Sequence, residues 1–511
     1  MNEISKDKIF LIVVLLVVII SMFFRFYDLT MDPYPAMISG AAWADESPLA
    51  YNARNKILFD EWRTEDNYWN PMYMSPVHNY LVFTSFKLFG ISIFSLRLVP
   101  AVLGFISVLF VSLMLYARNK KAGLIYLALL ISNLILIANS RIATLEYLVL
   151  SFILIILGLI IYNKPISWFF AGLLLPFLFF SKITSAFFIL SIPLSLIIYY
   201  FFYRRKKTLT NLILVSGGFL ISAILWIIFW LIPNFDDWYF IHISLFAYKK
   251  PFNLSKLVGM VFYQLNLLHL LGTVVILFFI IFVFFYVFFL FKKKKVKYLD
   301  SLLIVTIIVF QLQTIFTDFP LRRLILLIPI VLIMVTLVII RIKDISLKIF
   351  DFSYNLDQTY FIILVIIVYF IFNMGPLTVY FGTGVLHPAD SHTFLRSSQE
   401  ISKYIPDYSK VYGFVSHSLA LENSKIKPYY PLEIYSPELE KDMMKMFINK
   451  EINYVILNRD LSKNNSEIVY EAAGKLGQYI EENFEIIRTL DGDDYYYGIN
   501  NGLPIYIYKR I

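Results

Sequence analysis

Apolar residues run along this chain in long unbroken stretches at 9–24, 92–116, 122–138, 145–162, 166–180, 183–203, 211–233, 269–291, 300–316, 322–341 and 359–373. Each is near the length at which a helix crosses about 30 Å of hydrocarbon. The pattern predicts a polytopic α-helical membrane protein of about eleven transmembrane helices. The polar interval 25–91 is too long to be a simple connector, and a second loop runs over 234–268. Within the second, the apolar run at 254–268 reads as an interfacial helix. From 374 to 511 the apolar runs shrink to strand length and charge returns. Strands are expected at 410–415, 452–457, 484–490 and 503–508, and amphipathic helices at 394–404, 437–449 and 466–483. This tail reads as a small α/β domain following a membrane domain at 1–373. Its turns, Asp491-Gly492-Asp493 and Asn500-Asn501-Gly502, are ordinary, with no glycine loop of the phosphate-cradling kind, and no catalysis is assigned to it.

Charge adds direction to the pattern. With the N-terminus cytoplasmic, the basic clusters Arg118-Asn119-Lys120-Lys121, Arg204-Arg205-Lys206-Lys207, 292–295 and Arg341-Ile342-Lys343 all fall inside, as membrane topology requires. An odd number of spans then places 25–91, 234–268 and the C-terminal domain on the external face of a multi-pass protein of the cell membrane. The net charge of +9 is accounted for by these clusters, so a nucleic-acid partner is excluded. With 59% hydrophobic residues and a mean hydropathy of +0.70, the chain has far too much apolar side chain for one soluble core. There is no cysteine, which excludes disulfides and thiolate metal sites. The first run lacks a small-residue cleavage site after it and reads as an uncleaved anchor.

Against this background a few polar residues stand out. Asp45 and Glu46 lie in the first polar interval beside the bilayer, with Trp43 next to them as a stacking surface for a sugar. The bland alternative is a solvated acid pair. Arg141, Lys182, Arg322 and Arg323 are cations expected on the external side, where the positive-inside rule gives no reason for them. Singly they read as snorkelling interfacial residues; together they suit an anion. Glu146 is either a partner for Arg141 or an acid in a first helical turn, favoured by the helix dipole. His78 is a turn residue or a metal ligand. A divalent ion beside Asp45 is compatible with the two acids, but no spacing of metal ligands commits the chain to one.

Several segments taken together resemble a known family. These are 44–54 around Asp45-Glu46, Ser75-Pro76-Val77-His78-Asn79-Tyr80, the block 87–100 from Lys87 to Pro100, Ser140-Arg141-Ile142-Ala143-Thr144-Leu145-Glu146, Phe180-Ser181-Lys182, and Arg322-Arg323-Leu324 before Pro329. In that order they resemble the GT-C glycosyltransferases of the protein O-mannosyltransferase and aminoarabinose-transferase type. The chain departs from that pattern where relatives carry His-Pro-Pro and it has Ser75-Pro76-Val77, with His78 as the nearest substitute. It departs again at Arg323-Leu324, where Arg-Tyr is common. The resemblance implies hexosyl or pentosyl transfer from a polyprenyl-phosphate sugar, with inversion, to a protein, lipid or glycan acceptor on the external face. It implies Asp45 as general base or metal-proximal acid, Glu46 in support, and the basic residues on the lipid-linked phosphate. The second reading from the same spans and cations is a transporter or flippase for a lipid-linked or amphipathic substrate. Against it, ionisable residues are sparse within the spans, and no Gly/Pro-broken pair of segments suggests inverted repeats.

Overall fold

A computed structural model describes residues 3–31, 41–62, 71–239, 242, 297–316, 325–341, 345–349, 352–386, 393–413, 426–429, 444–445, 447–449, 451–457, 474–490 and 504–511. Side chains at 3–5, 41–45, 71, 311, 314–316, 345–349, 352–356, 380, 383–386, 393–394, 427–429 and 474–475 are outside the description. The expected segment 269–291, the expected interfacial helix at 254–268 and the pair Arg322 and Arg323 therefore lie outside the described residues.

The remaining apolar segments fold as helices: α1 (Glu3–Phe26), α5 (Ile93–Tyr116), α6 (Lys120–Ile131) with α7 (Leu134–Ser140), α8 (Leu145–Tyr162), α9 (Pro165–Ser181), α10 (Ala186–Tyr203), α11 (Lys206–Trp226), α12 (Tyr298–Phe316), α13 (Ile328–Arg341) and α14 (Gln358–Leu386). Among the described residues six are long and apolar enough to cross a membrane, and the bent pair α6 and α7, which meet at 61°, makes a seventh. Helices α9, α12 and α13 are apolar but shorter. The turns between spans are tight. Asn163 closes α8 in a left-handed conformation (φ 55°) and Pro165 opens α9 two residues later. Leucine, isoleucine and phenylalanine side chains such as Leu11, Leu15, Ile19, Phe202, Ile213 and Leu220 stay exposed on the bundle surface, as expected of a surface that meets lipid rather than water.

Glycine permits a close helix crossing in the bundle. A Cβ on Gly172 would lie 2.1 Å from the Val215 carbonyl oxygen, and one on Gly218 would lie 2.2 Å from that of Phe169. Only glycine lets α9 and α11 cross backbone to backbone, the small-residue packing by which helices associate in lipid.

The interval 25–91 is not a loop. It holds α2 (Ala41–Phe59), the short α3 (Pro71–Met74) and α4 (Pro76–Phe89). Helix α2 escaped the sequence reading because it has no single apolar face: Glu46, Asn52, Arg54 and Asn55 are as buried as Leu49, Ala50 and Ala53. Its apolar residues pack with Val82 and Phe86 of α4, Ile93 and Leu96 of α5, and Ala143 and Tyr147 at the start of α8.

A hairpin, β1 (Ile345–Ile349) with β2 (Phe352–Leu356), precedes α14. The helix α14 runs on to Leu386, past residue 374. In the C-terminal region a five-stranded mixed sheet has the order β4-β3-β5-β7-β6, with β3 (Lys410–Tyr412), β4 (Lys427–Tyr429), β5 (Tyr454–Leu457), β6 (Phe484–Leu490) and β7 (Ile505–Arg510). Strand β3 is parallel to both β4 and β5, and β7 is antiparallel to β5 and β6. Helices α15 (Thr393–Ser402) and α16 (Gly474–Asn483) accompany it. The expected helix at 437–449 and the first part of that at 466–483 fall mostly outside the described residues.

Candidate active site

The C-terminus of α1, the N-termini of α5 and α8 and the C-terminus of α9 share one end of the bundle, with α2 and α4 laid across it. Buried ion pairs tie this end together. Glu46, 1% exposed, accepts from Arg97 Nε and Nη2, both at 2.8 Å, one bond to each carboxylate oxygen. Its Oε1 also accepts from the Ala143 backbone N–H at 2.8 Å. Arg97 in turn donates through Nη1 to the carbonyls of Leu29 (3.0 Å) and Met31 (2.6 Å). A bidentate guanidinium–carboxylate pair is the strongest geometry available to these groups. It fixes α2 to α5, to the start of α8 and to the chain leaving α1.

Three residues beyond Ala143, Glu146 accepts a 2.6 Å bond from Lys182 Nζ. Glu146 is buried, whereas the Lys182 side chain keeps 18% exposure. Among the described residues Glu146 pairs with Lys182 rather than with Arg141. Arg141 is used otherwise. Its guanidinium donates to the carbonyls of Phe24 (3.0 Å), Tyr27 (2.5 Å) and Asp28 (2.6 Å), and lies 4.8 Å from the centre of the Phe381 ring. The last carbonyls of a helix lack intrahelical partners and carry the negative end of its dipole. No glycine follows Phe26 to cap α1 by a left-handed turn, and Arg141 takes over that task. The structure brings Glu46, Arg141, Glu146 and Lys182 to one end, with Arg141 donating to the backbone oxygens that end α1.

His78 on α4 is fully buried, and its Nδ1 shares a 3.2 Å hydrogen bond with the Tyr147 hydroxyl of α8. Burial pushes its pKa down to about 3, so the imidazole is neutral at physiological pH. Among the described residues Nε2 has no partner, nor do Ser75 Oγ and Asn79 Oδ1 on the same face of α4. Arg54, also buried on α2, has its pKa held down to about 10 by desolvation and donates to the Ile426 carbonyl at 2.5 Å, linking α2 to the C-terminal region. Asp45 occupies the helical position before Glu46 and Trp43 lies half a turn earlier; their side chains are outside the description. No three His, Asp or Glu side chains gather into a metal-binding group among the described residues.

Next to this end an apolar cavity of about 740 Å³ opens between α8, α9 and α11, lined by Phe170, Phe177, Trp226, Phe229 and Trp230 among others. It lies just beyond the glycine crossing of α9 and α11. Trp226 stacks on Phe180, 4.7 Å between ring centres, two residues before Lys182. Trp230 faces Tyr73 and Tyr80 of α3 and α4 at 6.3 Å each. The cavity therefore leads along aromatic side chains toward the Lys182–Glu146 pair.

Arg97 and Trp226 went unassigned in the sequence. An arginine inside the otherwise apolar Ile93–Tyr116 was the available signal, since a charge within a span is expensive and needs a partner. Nothing in the sequence distinguished Trp226 from the other aromatic residues.

Over its whole length the chain is similar to ArnT from Cupriavidus metallidurans. Against the structure bound to undecaprenyl phosphate the TM-score is 0.59 at 11% identity, covering 100% of this chain and 99% of that one. Against the apo structure it is 0.60 at 11% identity, covering 99% and 98%. This chain has the GT-C fold. The oligosaccharyltransferase of Archaeoglobus fulgidus, in complex with Zn and sulfate, matches at 14% identity and a TM-score of 0.48, over 88% of this chain and 68% of that one. No family model and no curated protein matches the sequence. The GT-C architecture anticipated from the segments around Asp45-Glu46, Arg97, Glu146 and Lys182 is therefore the observed one, reached here through similarity of shape at low sequence identity.

Proposed function

We propose that this protein is a membrane glycosyltransferase that moves a sugar from a polyprenyl-phosphate-linked donor to an acceptor hydroxyl on the external face, with inversion at the anomeric carbon. The observation that carries the reading is that Glu46 of α2 is bonded to the Ala143 N–H, three residues before the Glu146 that pairs with Lys182, at the end of the bundle toward which an aromatic-lined apolar cavity leads. A lipid-linked sugar phosphate needs these three parts: a groove for the chain, a cation for the phosphate and a carboxylate for the incoming hydroxyl. The similarity to ArnT, solved with undecaprenyl phosphate, supports the donor class.

In this mechanism Asp45 takes the proton of the acceptor hydroxyl. The oxygen attacks the anomeric carbon from the face opposite the phosphate, the carbon–oxygen bond to the phosphate breaks, and the polyprenyl phosphate leaves with the electron pair. Lys182, placed by Glu146, stabilises the charge that gathers on the leaving phosphate, the stage at which a fixed cation has its largest effect. Arg322 and Arg323 are proposed to join it. Glu46 acts on position, holding α2 through Arg97 so that Asp45 faces the substrate. A divalent ion at Asp45 would serve the same end by polarising the acceptor oxygen.

The test is purified protein in sealed liposomes loaded with labelled polyprenyl-phosphate sugars and supplied with hydroxyl acceptors. Labelled glycoside and free polyprenyl phosphate are expected. Movement of intact donor between leaflets with no glycoside formed would replace this reading with the transporter.

A further inference from the structure

Three arginines are buried around the C-terminal end of α1, and two are accounted for: Arg97 by Glu46, Arg141 by backbone carbonyls and an aromatic ring. The third is Arg25, 1% exposed. Its Nε and Nη2 are buried and have no hydrogen-bond partner among the described residues. One helical turn earlier, on the same face of α1, the hydroxyl of Ser21 is completely buried and equally without a partner. The guanidinium lies against the α5 backbone at Gly104: a Cβ there would stand 2.8 Å from Arg25 Nη1 and 3.2 Å from Ser140 Cβ. The room that Arg25 occupies exists because residue 104 is glycine.

A guanidinium keeps its proton under all physiological conditions, and an uncompensated charge in a protein interior carries a heavy desolvation penalty. A water molecule answers the hydrogen-bonding need of these donors but not the charge. Among the described residues Glu46 is committed to Arg97, and Asp28 Oδ1 accepts from the backbone and hydroxyl of Thr30. We propose that Arg25 and Ser21 form an interior site for a halide-sized inorganic anion, closed by Gly104 of α5 and Ser140 of α7. Two guanidinium N–H groups and one hydroxyl are suitable donors for chloride. All three atoms are buried and the guanidinium is pressed against Gly104, a setting that suits a small inorganic anion rather than a phosphodiester, and the proposed site is separate from the donor phosphate. Its occupation holds α1, α5 and α7 in register, and it stands whether or not the chain transfers sugar.

The measurement is thermal unfolding of the purified full-length protein in detergent, with chloride exchanged for gluconate at constant ionic strength. A ligand that binds only the folded state raises the midpoint with the logarithm of its concentration above its dissociation constant, so a rise of a few degrees, reproduced by bromide and not by phosphate, is expected. Arg25→Met, which removes the charge but keeps an apolar side chain of similar reach, should lose this dependence. Ser21→Ala should keep it with a several-fold higher half-effect concentration, and this variant carries the test if Arg25→Met does not fold. No halide response in the wild type, an equal response to phosphate, or an unchanged response in both variants would overturn the site.

Discussion

Two carboxylates at the same end of the bundle, Glu46 and Glu146, each face a cation, and the two pairs are built differently. Glu46 and Arg97 are both 1% exposed at the side chain and joined by two parallel hydrogen bonds. The lysine of the Glu146 pair keeps 18% exposure and touches its carboxylate through one 2.6 Å contact. Breaking a closed, bidentate pair leaves a charge stranded in the interior. A lysine is a point charge on a flexible stem and can turn toward a second anion while staying near the first. The contrast separates an architectural pair from one suited to ligand.

The strongest way to break this comparison is to neutralise one member of each pair. Glu46→Gln leaves Arg97 uncompensated and should lower stability by about 3–5 kcal/mol, read as a large drop in the unfolding midpoint. Lys182→Met strands the buried Glu146 carboxylate, an ion that can be neutralised by taking up a proton as a guanidinium cannot. The midpoint should therefore fall by less than in Glu46→Gln, while donor binding weakens by about 10- to 100-fold, the worth of a hydrogen bond to a charged group. If Lys182→Met unfolds the protein as Glu46→Gln does, the two pairs are alike and the distinction fails.

His78 sharpens the architectural side. Its folded pKa of about 3 lies below the ordinary value near 6.5, so the unfolded chain takes up the proton first. The stability tied to neutral His78 is complete above pH 6.5 and is lost as pH falls toward 3, by about 2 kcal/mol at pH 5. His78→Phe should flatten that acid limb in unfolding curves recorded between pH 7.5 and 5. On the ligand side Trp226→Ala should weaken long-chain donors by about tenfold and short-chain analogues hardly at all. A loss equal for both chain lengths would remove the cavity from donor binding.

The membrane architecture was largely legible in the sequence, since spans are written as unbroken apolar runs and their turns as Asn163-Lys164-Pro165 or Ser181-Lys182. Helix α2 was not, because a helix buried on every side shows no amphipathic period and carries Pro48 within it. Among the site residues, Glu146 and Lys182 stood out as charges at span ends. Their pairing spans 36 residues and that of Glu46 with Arg97 spans 51, distances over which pattern gives no guidance. Arg141 shows the limit most clearly. Position near a span end is the same for a phosphate ligand and for a helix cap, and the bonds from Arg141 to the α1 carbonyls could not be read from it.

The most direct measurement compares wild type with Asp45→Asn, purified to equal unfolding midpoints, for transfer of labelled sugar from a panel of polyprenyl-phosphate donors. The account predicts turnover in the wild type and a loss of at least about 100-fold in the variant, the contribution of a general base. Full activity in a well-folded Asp45→Asn protein would contradict it.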